Sequence, residues 1–213
     1  FTSPTVIAAK KTHPFFRMAV DYRWINEYIV MIQSYVPIIL DELHKANGWV
    51  FFGDIDWREA FHQVLLEPKT SEMLSIITIL GPLKPRFMME GVSPASNVLQ
   101  NIVAEIFNPI RNESICAFDN ILTGGETLDD LFDRVVKILQ ICCTHNVKLN
   151  FSKTFLGFTK AKFFGYEIDK TGYRIDESRK SALTKIPFPG YGKTKKENTK
   201  LMRSFLGFSV YFI

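Results

Sequence analysis

The segment C-A-F-D-N-I-L-T-G-G, residues 116–125, places an acid and its own amide in the middle of an apolar run. Short apolar stretches on either side of Asp119-Asn120 predict two strands joined by a tight turn. Turn chemistry alone explains the pair, because Asp and Asn tolerate the left-handed backbone that such turns demand. The alternative is that the turn presents the Asp119 carboxylate to a metal ion.

The apolar patterns around this hairpin predict an α+β fold. Helical spacing indicates two long helices, one from Ser93 to the Pro109 boundary and one from about Leu128 to His145, the second beginning with a T-x-x-D cap. Shorter helices are predicted at 40–46, 58–64, 178–186 and 197–210. Strands are predicted at 5–9, 17–20, 49–55, 148–151, 161–168 and 173–175, with two more within 78–89. Because regular βαβ units are missing from this pattern, we expect a sheet packed on one side by the two long helices.

Composition argues against a membrane-spanning protein. No apolar run of the 213 residues approaches the roughly 20 needed to cross a bilayer, so no membrane partner is predicted. The chain begins F-T-S-P without Met, which suggests a fragment of a longer protein.

The net charge is +4, and residues 187–213 carry five basic side chains against one acid. This segment suits a polyanion such as nucleic acid, although a solvated tail has the same composition.

A second acidic strand end lies at F-F-G-D-I-D-W, residues 51–57. Asp56 ends an otherwise apolar strand, and Asp54, two residues earlier, lies on the same strand face. Asp56 and Asp119, side by side in one sheet, could hold two Mg²⁺ ions together with substrate phosphates and water. For Asp54 we expect an exposed polar position. On spacing alone, a solvated strand-end acid remains the commoner explanation.

The sequence resembles the reverse transcriptase domain of LTR retrotransposons of the gypsy type and, more distantly, retroviral reverse transcriptases. Each matching segment is modest, but all occur in the family's order along nearly the whole chain. The segments are T-S-P-T-V-I-A-A-K-K (2–11), R-M-A-V-D-Y-R-W-I-N (17–26), F-G-D-I-D-W-R-E-A-F-H-Q-V (52–64), G-V-S-P-A-S-N-V-L-Q (91–100), L-N-F-S-K-T-F-L-G (149–157), K-F-F-G-Y-E-I-D-K-T-G (162–172) and R-S-F-L-G-F-S-V-Y-F-I (203–213).

This resemblance implies a right-hand polymerase with an antiparallel palm sheet packed on two long helices. Residues 1–48 correspond to part of the fingers and 49–160 to the palm, with a fingers insertion around 65–90. Residues 161–186 correspond to the primer-grip hairpin and the following helix, and 187–213 to a linker and the start of the thumb or connection. Ribonuclease H and integrase domains are expected outside these residues, in an intracellular, cytoplasmic polyprotein, with a virus-like particle or the nucleus as further locations.

The resemblance also assigns roles to individual residues. Asp56 and Asp119 match metal-binding aspartates for two Mg²⁺ ions, with Mn²⁺ as a substitute, and Asn120 occupies the position of the second acid of the Y-x-D-D box. The residues that match the dNTP site are Lys10, Arg17, Glu59, Ala60, Phe61, Glu90 and Gly91. The residues that match contacts to an RNA or DNA template and its DNA primer are Gln100, Lys153, Phe164, Gly165 and Tyr166. Phe61 falls on the steric gate, which excludes a 2′-hydroxyl, although an ordinary core Phe would also suit this Phe-rich chain.

The chain departs from the family pattern at the centre of the site. Asn120 replaces an aspartate, Ala117 replaces the tyrosine of the box, and Glu90 stands where Phe or Gln is usual. An amide brings no charge to a hard cation, and Glu90 adds a like charge near a triphosphate. We therefore expect an RNA-directed DNA polymerase domain with impaired catalysis. The alternative is a non-catalytic nucleic-acid-binding remnant of the same fold.

Overall fold

The computed structural model describes residues 2–9, 15–34, 37–185 and 194–209. The strands are β1 (Ser3–Ala9), β2 (Phe16–Val20), β3 (Phe51–Asp56), β4 (Ile76–Thr78), β5 (Gly81–Leu83), β6 (Ser114–Ala117), β7 (Asn120–Gly125), β8 (Phe155–Phe158), β9 (Lys160–Phe163), β10 (Tyr166–Asp169) and β11 (Gly172–Ile175). The α-helices are α1 (Arg23–Asn26), α2 (Ile39–Glu42), α3 (Pro68–Met73), α4 (Ala95–Ile106), α5 (Leu128–Thr144), α6 (Glu177–Lys185) and α7 (Lys195–Ser209). The α+β class is confirmed.

The central sheet has the order β6-β7-β3-β8, and its neighbouring strands are all antiparallel. Ile55 of β3 and Ile121 of β7 share a buried cluster with α4 and α5. The apolar stripes of the two helices supply this cluster, because residues three and four apart line one helix face. The predicted T-x-x-D start of α5 is also confirmed, since Thr127 and Asp130 form a reciprocal capping box. The two long helices therefore cover one face of the sheet, as predicted.

A second sheet contacts the opposite face of the central sheet. Its order is β11-β10-β9. Phe52 and Leu122 of the central sheet share a buried cluster with Phe163 and Ile168 of this second sheet. Alternate residues of β3 thus enter different clusters, as the two-residue period of a strand requires. The central sheet lies between two cores, whereas the sequence predicted cover on one side only.

A third sheet has the order β2-β1-β4-β5 and joins distant parts of the sequence. β1 pairs antiparallel with β2 and parallel with β4, where Ser3 and Pro4 lie opposite Ile76 and Ile77. Two short strands were predicted within 78–89. In the structure the pair begins earlier, at Ile76, and its strands β4 and β5 flank a turn at residues 79–80. The chain from 65 to 90 therefore packs with the amino-terminal hairpin.

Two other strand predictions differ from the structure, and one predicted linker falls almost entirely outside the described residues. Residues 148–151 were predicted as a strand, but only Leu149 makes a bridge, to Trp57, and the fourth strand of the central sheet is β8. The predicted strand at 161–168 is broken by a two-residue turn at Phe164 and Gly165, whose φ angles are 45° and 83°. The linker predicted from 187 lies outside the described residues up to position 193. None of the described helices combines the length and apolar character needed to cross a bilayer.

Candidate active site

The acidic positions predicted from the sequence meet at one end of the central sheet. Asp56, the last residue of β3, lies directly opposite Asn120, the first residue of β7. Directly opposed side chains project from the same sheet face with Cβ atoms about 5 Å apart. Asp119 precedes Asn120 in the turn, and its carbonyl accepts a hydrogen bond of 2.8 Å from the Trp57 N–H. The two strand ends are thus bound together at the three candidate residues.

The turn that carries Asp119 lies one residue earlier than the sequence predicted. Ala117 pairs with Asn120, so Phe118 and Asp119 form the turn and Asn120 already belongs to the strand. Phe118 adopts a left-handed φ of 53°, which is uncommon for a bulky residue. Tertiary contacts stabilise it: the Phe118 ring centroid lies 6.2 Å from that of Phe164, and its N–H donates 2.8 Å to Oε1 of Gln100.

Negative charge accumulates on this part of the sheet. Burial, with the nearby Asp56 and Asp119 carboxylates, raises the pKa of Asp54 to about 6. Oδ1 of Asp54 is buried and accepts no hydrogen bond from any described residue, so the expectation of an exposed polar position was wrong. Burial also raises the pKa of Asp56, against the lowering effects of Lys153 and Asn150. Lys153 Nζ lies 3.8 Å from Asp56 Oδ2 and supplies positive charge beside this group.

The donor set can be compared with the needs of a divalent cation. Within the described ranges, no three His, Cys, Asp or Glu side chains form a group that could hold a metal ion. The candidate ligands are two carboxylates, Asp56 and Asp119, and the amide oxygen of Asn120. Mg²⁺ is commonly bound through one or two carboxylates, with water and substrate phosphates as the remaining ligands. The oxygen donors and the crowding of negative charge fit such an ion, although Asn120 contributes no charge.

The residues predicted to bind the nucleotide have different environments. Glu59 is exposed with a left-handed φ of 48°, Ala60 is buried, and Phe61 is partly buried against the cluster beneath α4. Glu90 and Gly91 are exposed. Lys10 lies outside the described residues, and Arg17 belongs to β2 without a described side chain. These nucleotide roles stay predictions.

The residues predicted to contact template and primer divide into exposed and buried ones. Lys153 is exposed beside Asp56, and the Phe164-Gly165 turn lies next to the Asp119 turn through the Phe118–Phe164 contact. Tyr166, at 5% exposure, belongs to the core between the two sheets. Gln100 is 2% exposed, and its side chain bonds to the backbone of the Asp119 hairpin. Their roles toward nucleic acid stay predictions as well.

Two carboxamide side chains that the sequence analysis did not single out connect segments around the site. Asn26 Nδ2 donates 2.9 Å to the Gly91 carbonyl, and Asn26 Oδ1 accepts 2.9 Å from the Ser93 N–H. Gln63 forms the same kind of paired contact with the Lys148 backbone, at 2.9 Å and 2.8 Å. Both residues lie inside motifs that carried the resemblance, and this was the only signal in the sequence that could have identified them.

Solved structures provide the comparison for this arrangement. A foamy viral protease-reverse transcriptase in complex with double-stranded DNA matches 99% of this chain and 36% of its own, with a TM-score of 0.83 and 18% identity. This chain has the fold of a retroviral reverse transcriptase. The same fold occurs in the foamy viral protease-reverse transcriptase bound to an RNA/DNA hybrid, with a TM-score of 0.77 and 18% identity over 98% of this chain and 27% of the other.

The curated proteins that are similar to this chain in sequence are transposon polyproteins. The retrovirus-related Pol polyprotein from transposon 297 of Drosophila melanogaster is 24% identical over 217 residues, covering 100% of this chain and 20% of the relative. The transposon Tf2-7 polyprotein of Schizosaccharomyces pombe is 25% identical over 205 residues, 96% of this chain and 15% of the relative. The chain therefore spans about a fifth or less of these relatives. No family model matches it. The resemblance to reverse transcriptase domains of LTR retrotransposons is confirmed.

Proposed function

We propose that this chain is the fingers and palm portion of an RNA-directed DNA polymerase from a retrotransposon polyprotein. The observation that carries the proposal is the convergence of Asp56, Asp119 and Asn120 at the paired ends of β3 and β7. These residues come from motifs more than 60 positions apart in the sequence, yet one strand pair and one backbone hydrogen bond hold them together. The proposed reaction is nucleotidyl transfer from a dNTP to a DNA primer.

The sheet topology supports the division into fingers and palm. The β2-β1-β4-β5 sheet combines residues from 1–48 with residues from the 65–90 insertion, so both parts form one unit. The central sheet with α4 and α5 then forms the palm within 49–160. Residues 161–186 would form the primer grip and 187–213 the start of the thumb or connection. Ribonuclease H and integrase would belong to other parts of an intracellular polyprotein.

In this proposal the acidic residues hold divalent cations. When bound, two Mg²⁺ or Mn²⁺ ions would activate the primer 3′-hydroxyl and neutralise charge on the triphosphate. Asp56 and Asp119 would supply the charged ligands. Once a cation neutralises the Asp56 carboxylate in place of Lys153, the Lys153 ammonium group would be available to bind a substrate phosphate. Phe61 would limit the room for a 2′-hydroxyl, and the Phe164-Gly165 turn would position the primer end.

We further propose that catalysis is impaired. Asn120 offers a neutral oxygen where the related enzymes have a carboxylate, so a cation would be held less tightly. Removal of one group aimed at transition-state charge commonly costs about 10²–10³ in rate. Ala117 is fully buried between the two sheets and places only a methyl group beneath the turn. Exposed Glu90 adds negative charge beside Gly91, where the triphosphate is predicted to bind.

A non-catalytic nucleic-acid-binding remnant is the second candidate. The neutral Asn120 favours it, and so does α7, whose exposed basic side chains are Lys195, Lys196, Lys200 and Arg203. Basic side chains of this kind bind phosphates regardless of sequence. Such a module would retain affinity for a template–primer duplex and incorporate no nucleotide.

Primer extension separates the two candidates. An oligo(dT) primer on poly(rA) would be extended slowly by the wild-type chain and about 10²–10³ times faster by an Asn120→Asp, Glu90→Gln double variant. Asp56→Asn serves as the inactive control. If the double variant gains no activity with Mg²⁺ or Mn²⁺, repairable decay at these positions is the wrong explanation. Tight template–primer binding without extension in every variant would support the second candidate.

A further inference from the structure

Gln100 is a polar residue in the buried face of α4. It is 2% exposed, and its neighbours on that face, Leu99 and Val103, are fully buried. Burial of a carboxamide is unfavourable unless its polar atoms find hydrogen-bond partners. Here the partners belong to the hairpin that carries Asp119: Oε1 accepts 2.8 Å from the Phe118 N–H, and Nε2 donates 3.5 Å to the Cys116 carbonyl.

These bonds act on the peptide units next to Asp119. Phe118 holds a left-handed φ of 53°, and the Gln100 bond satisfies the N–H of that residue. On the other side, the Asp119 carbonyl accepts a hydrogen bond from the N–H of Trp57, the residue that directly follows β3. The backbone around Asp119 is therefore fixed from α4 on one side and from the strand of Asp56 on the other.

We propose that Gln100 is a positioning residue, which sets the Asp119 carboxylate relative to Asp56 and thereby the affinity of the site for divalent cations. This inference rests on the proposed function, because it requires Asp119 to bind a cation. It differs from the role that the resemblance implied, a contact with template and primer. A buried side chain whose oxygen and nitrogen both bond to the hairpin acts on substrate through that hairpin.

Substitution of Gln100 by Met tests the inference, because Met keeps the length of the side chain and removes both hydrogen bonds. We expect faster hydrogen exchange at the Phe118 amide, and a Mn²⁺ affinity about 10-fold lower, the usual scale for loss of a residue that orients a metal ligand. Gln100→Glu retains an acceptor for the Phe118 N–H and should keep that amide protected. Asn101→Met, at the exposed neighbouring position of α4, is the matched control and should change neither quantity.

The experiment uses the full chain in the wild-type and Asn120→Asp backgrounds. Hydrogen exchange is followed by NMR, and Mn²⁺ binding is titrated by electron paramagnetic resonance. Unchanged Mn²⁺ affinity in Gln100→Met, with or without loss of Phe118 protection, overturns the inference. So does weaker metal-free template–primer binding with intact Mn²⁺ affinity, which would indicate direct contact. A chain that binds no Mn²⁺ in any variant contradicts the proposed function as well, so the two failures can be told apart.

Discussion

Asn120 faces Asp56 across the β7–β3 strand pair, and its side-chain amide donates to Oδ1 of Asp119 at 3.3 Å. The amide is therefore turned toward one of the two carboxylates that it adjoins. An aspartate at this position would place three carboxylates around one strand end. The neutral residue relieves that repulsion in the metal-free chain, and it also removes one charged ligand.

Asn120→Asp should therefore destabilise the metal-free chain and strengthen its response to Mg²⁺. In EDTA we expect the free energy of unfolding to fall by about 0.5 kcal/mol, as for like charges on opposed strands. Saturating Mg²⁺ should reverse this loss, because a ligand that binds only the folded chain stabilises it. Urea unfolding with and without Mg²⁺ measures both effects. Asn101→Asp controls for net charge, and equal Mg²⁺ stabilisation of the two variants would contradict the prediction.

Asp54 should make the metal-free chain less stable as pH rises. Its pKa is about 6 in the folded chain, against about 4 when unfolded. Between these values the unfolded chain loses its proton first, so the free energy of unfolding falls as pH rises and stays low above pH 6. Asp54→Asn should gain about 1–2 kcal/mol near pH 8 and nothing near pH 4, after allowance for solvent screening.

Urea unfolding in EDTA across this pH range provides the measurement for Asp54. Asp133→Asn, an exposed position on α5, is the matched control. A gain of the same size at both ends of the range would show that ionisation of Asp54 has no part in it. Added Mg²⁺ should reduce the pH dependence, since a cation nearby favours the charged carboxylate.

The Asn26 contact should matter for the segment that contains Gly91. Asn26→Ala leaves the Ser93 N–H and the Gly91 carbonyl without their side-chain partner, which should cost about 1–2 kcal/mol of stability. Hydrogen exchange at Ser93 should accelerate more than exchange in the central sheet. Asn47→Ala, at an exposed turn position, is the control. Equal exchange at Ser93 in both variants would show that Asn26 does not hold this segment.

A side chain at Gly165 in the Phe164-Gly165 turn should displace Arg179 and strain the backbone. A Cβ on Gly165 would lie 1.7 Å from Nε of Arg179, and the φ angle there is 83°. Gly172 has a φ of 128° with open space around it, so Gly172→Ala isolates the backbone strain. Both variants carry backbone strain, which should cost each about 1 kcal/mol, and only Gly165→Ala should also displace the Arg179 side chain. Thermal unfolding of the two variants measures the strain, and only Gly165→Ala should weaken template–primer binding if this turn grips the primer.

Local sequence patterns were sufficient to predict much of this fold. The stripe of Leu131, Val135 and Ile138 specified α5, and the T-x-x-D cap specified where it begins, because both depend on residues within a few positions of one another. The sequence did not predict β8. This edge strand has four exposed residues, F-L-G-F, and it therefore lacks the alternation of polar and apolar residues that marks a strand with one buried face. The break at Phe164-Gly165 was missed because an apolar run conceals a turn stabilised by packing.

The sequence by itself determined the α+β class and the resemblance to reverse transcriptases, and it predicted that Asp56 and Asp119 lie side by side in one sheet. Only the tertiary structure decided that Phe118 rather than Asn120 forms the turn, that Oδ1 of Asp54 is buried, and that Gln100 bonds to the hairpin of Asp119. The physical reason is the distance along the sequence between the residues that produce each feature. Helix stripes and motifs are set by neighbouring residues, whereas burial, carboxylate repulsion and buried hydrogen bonds arise between segments that only folding brings together.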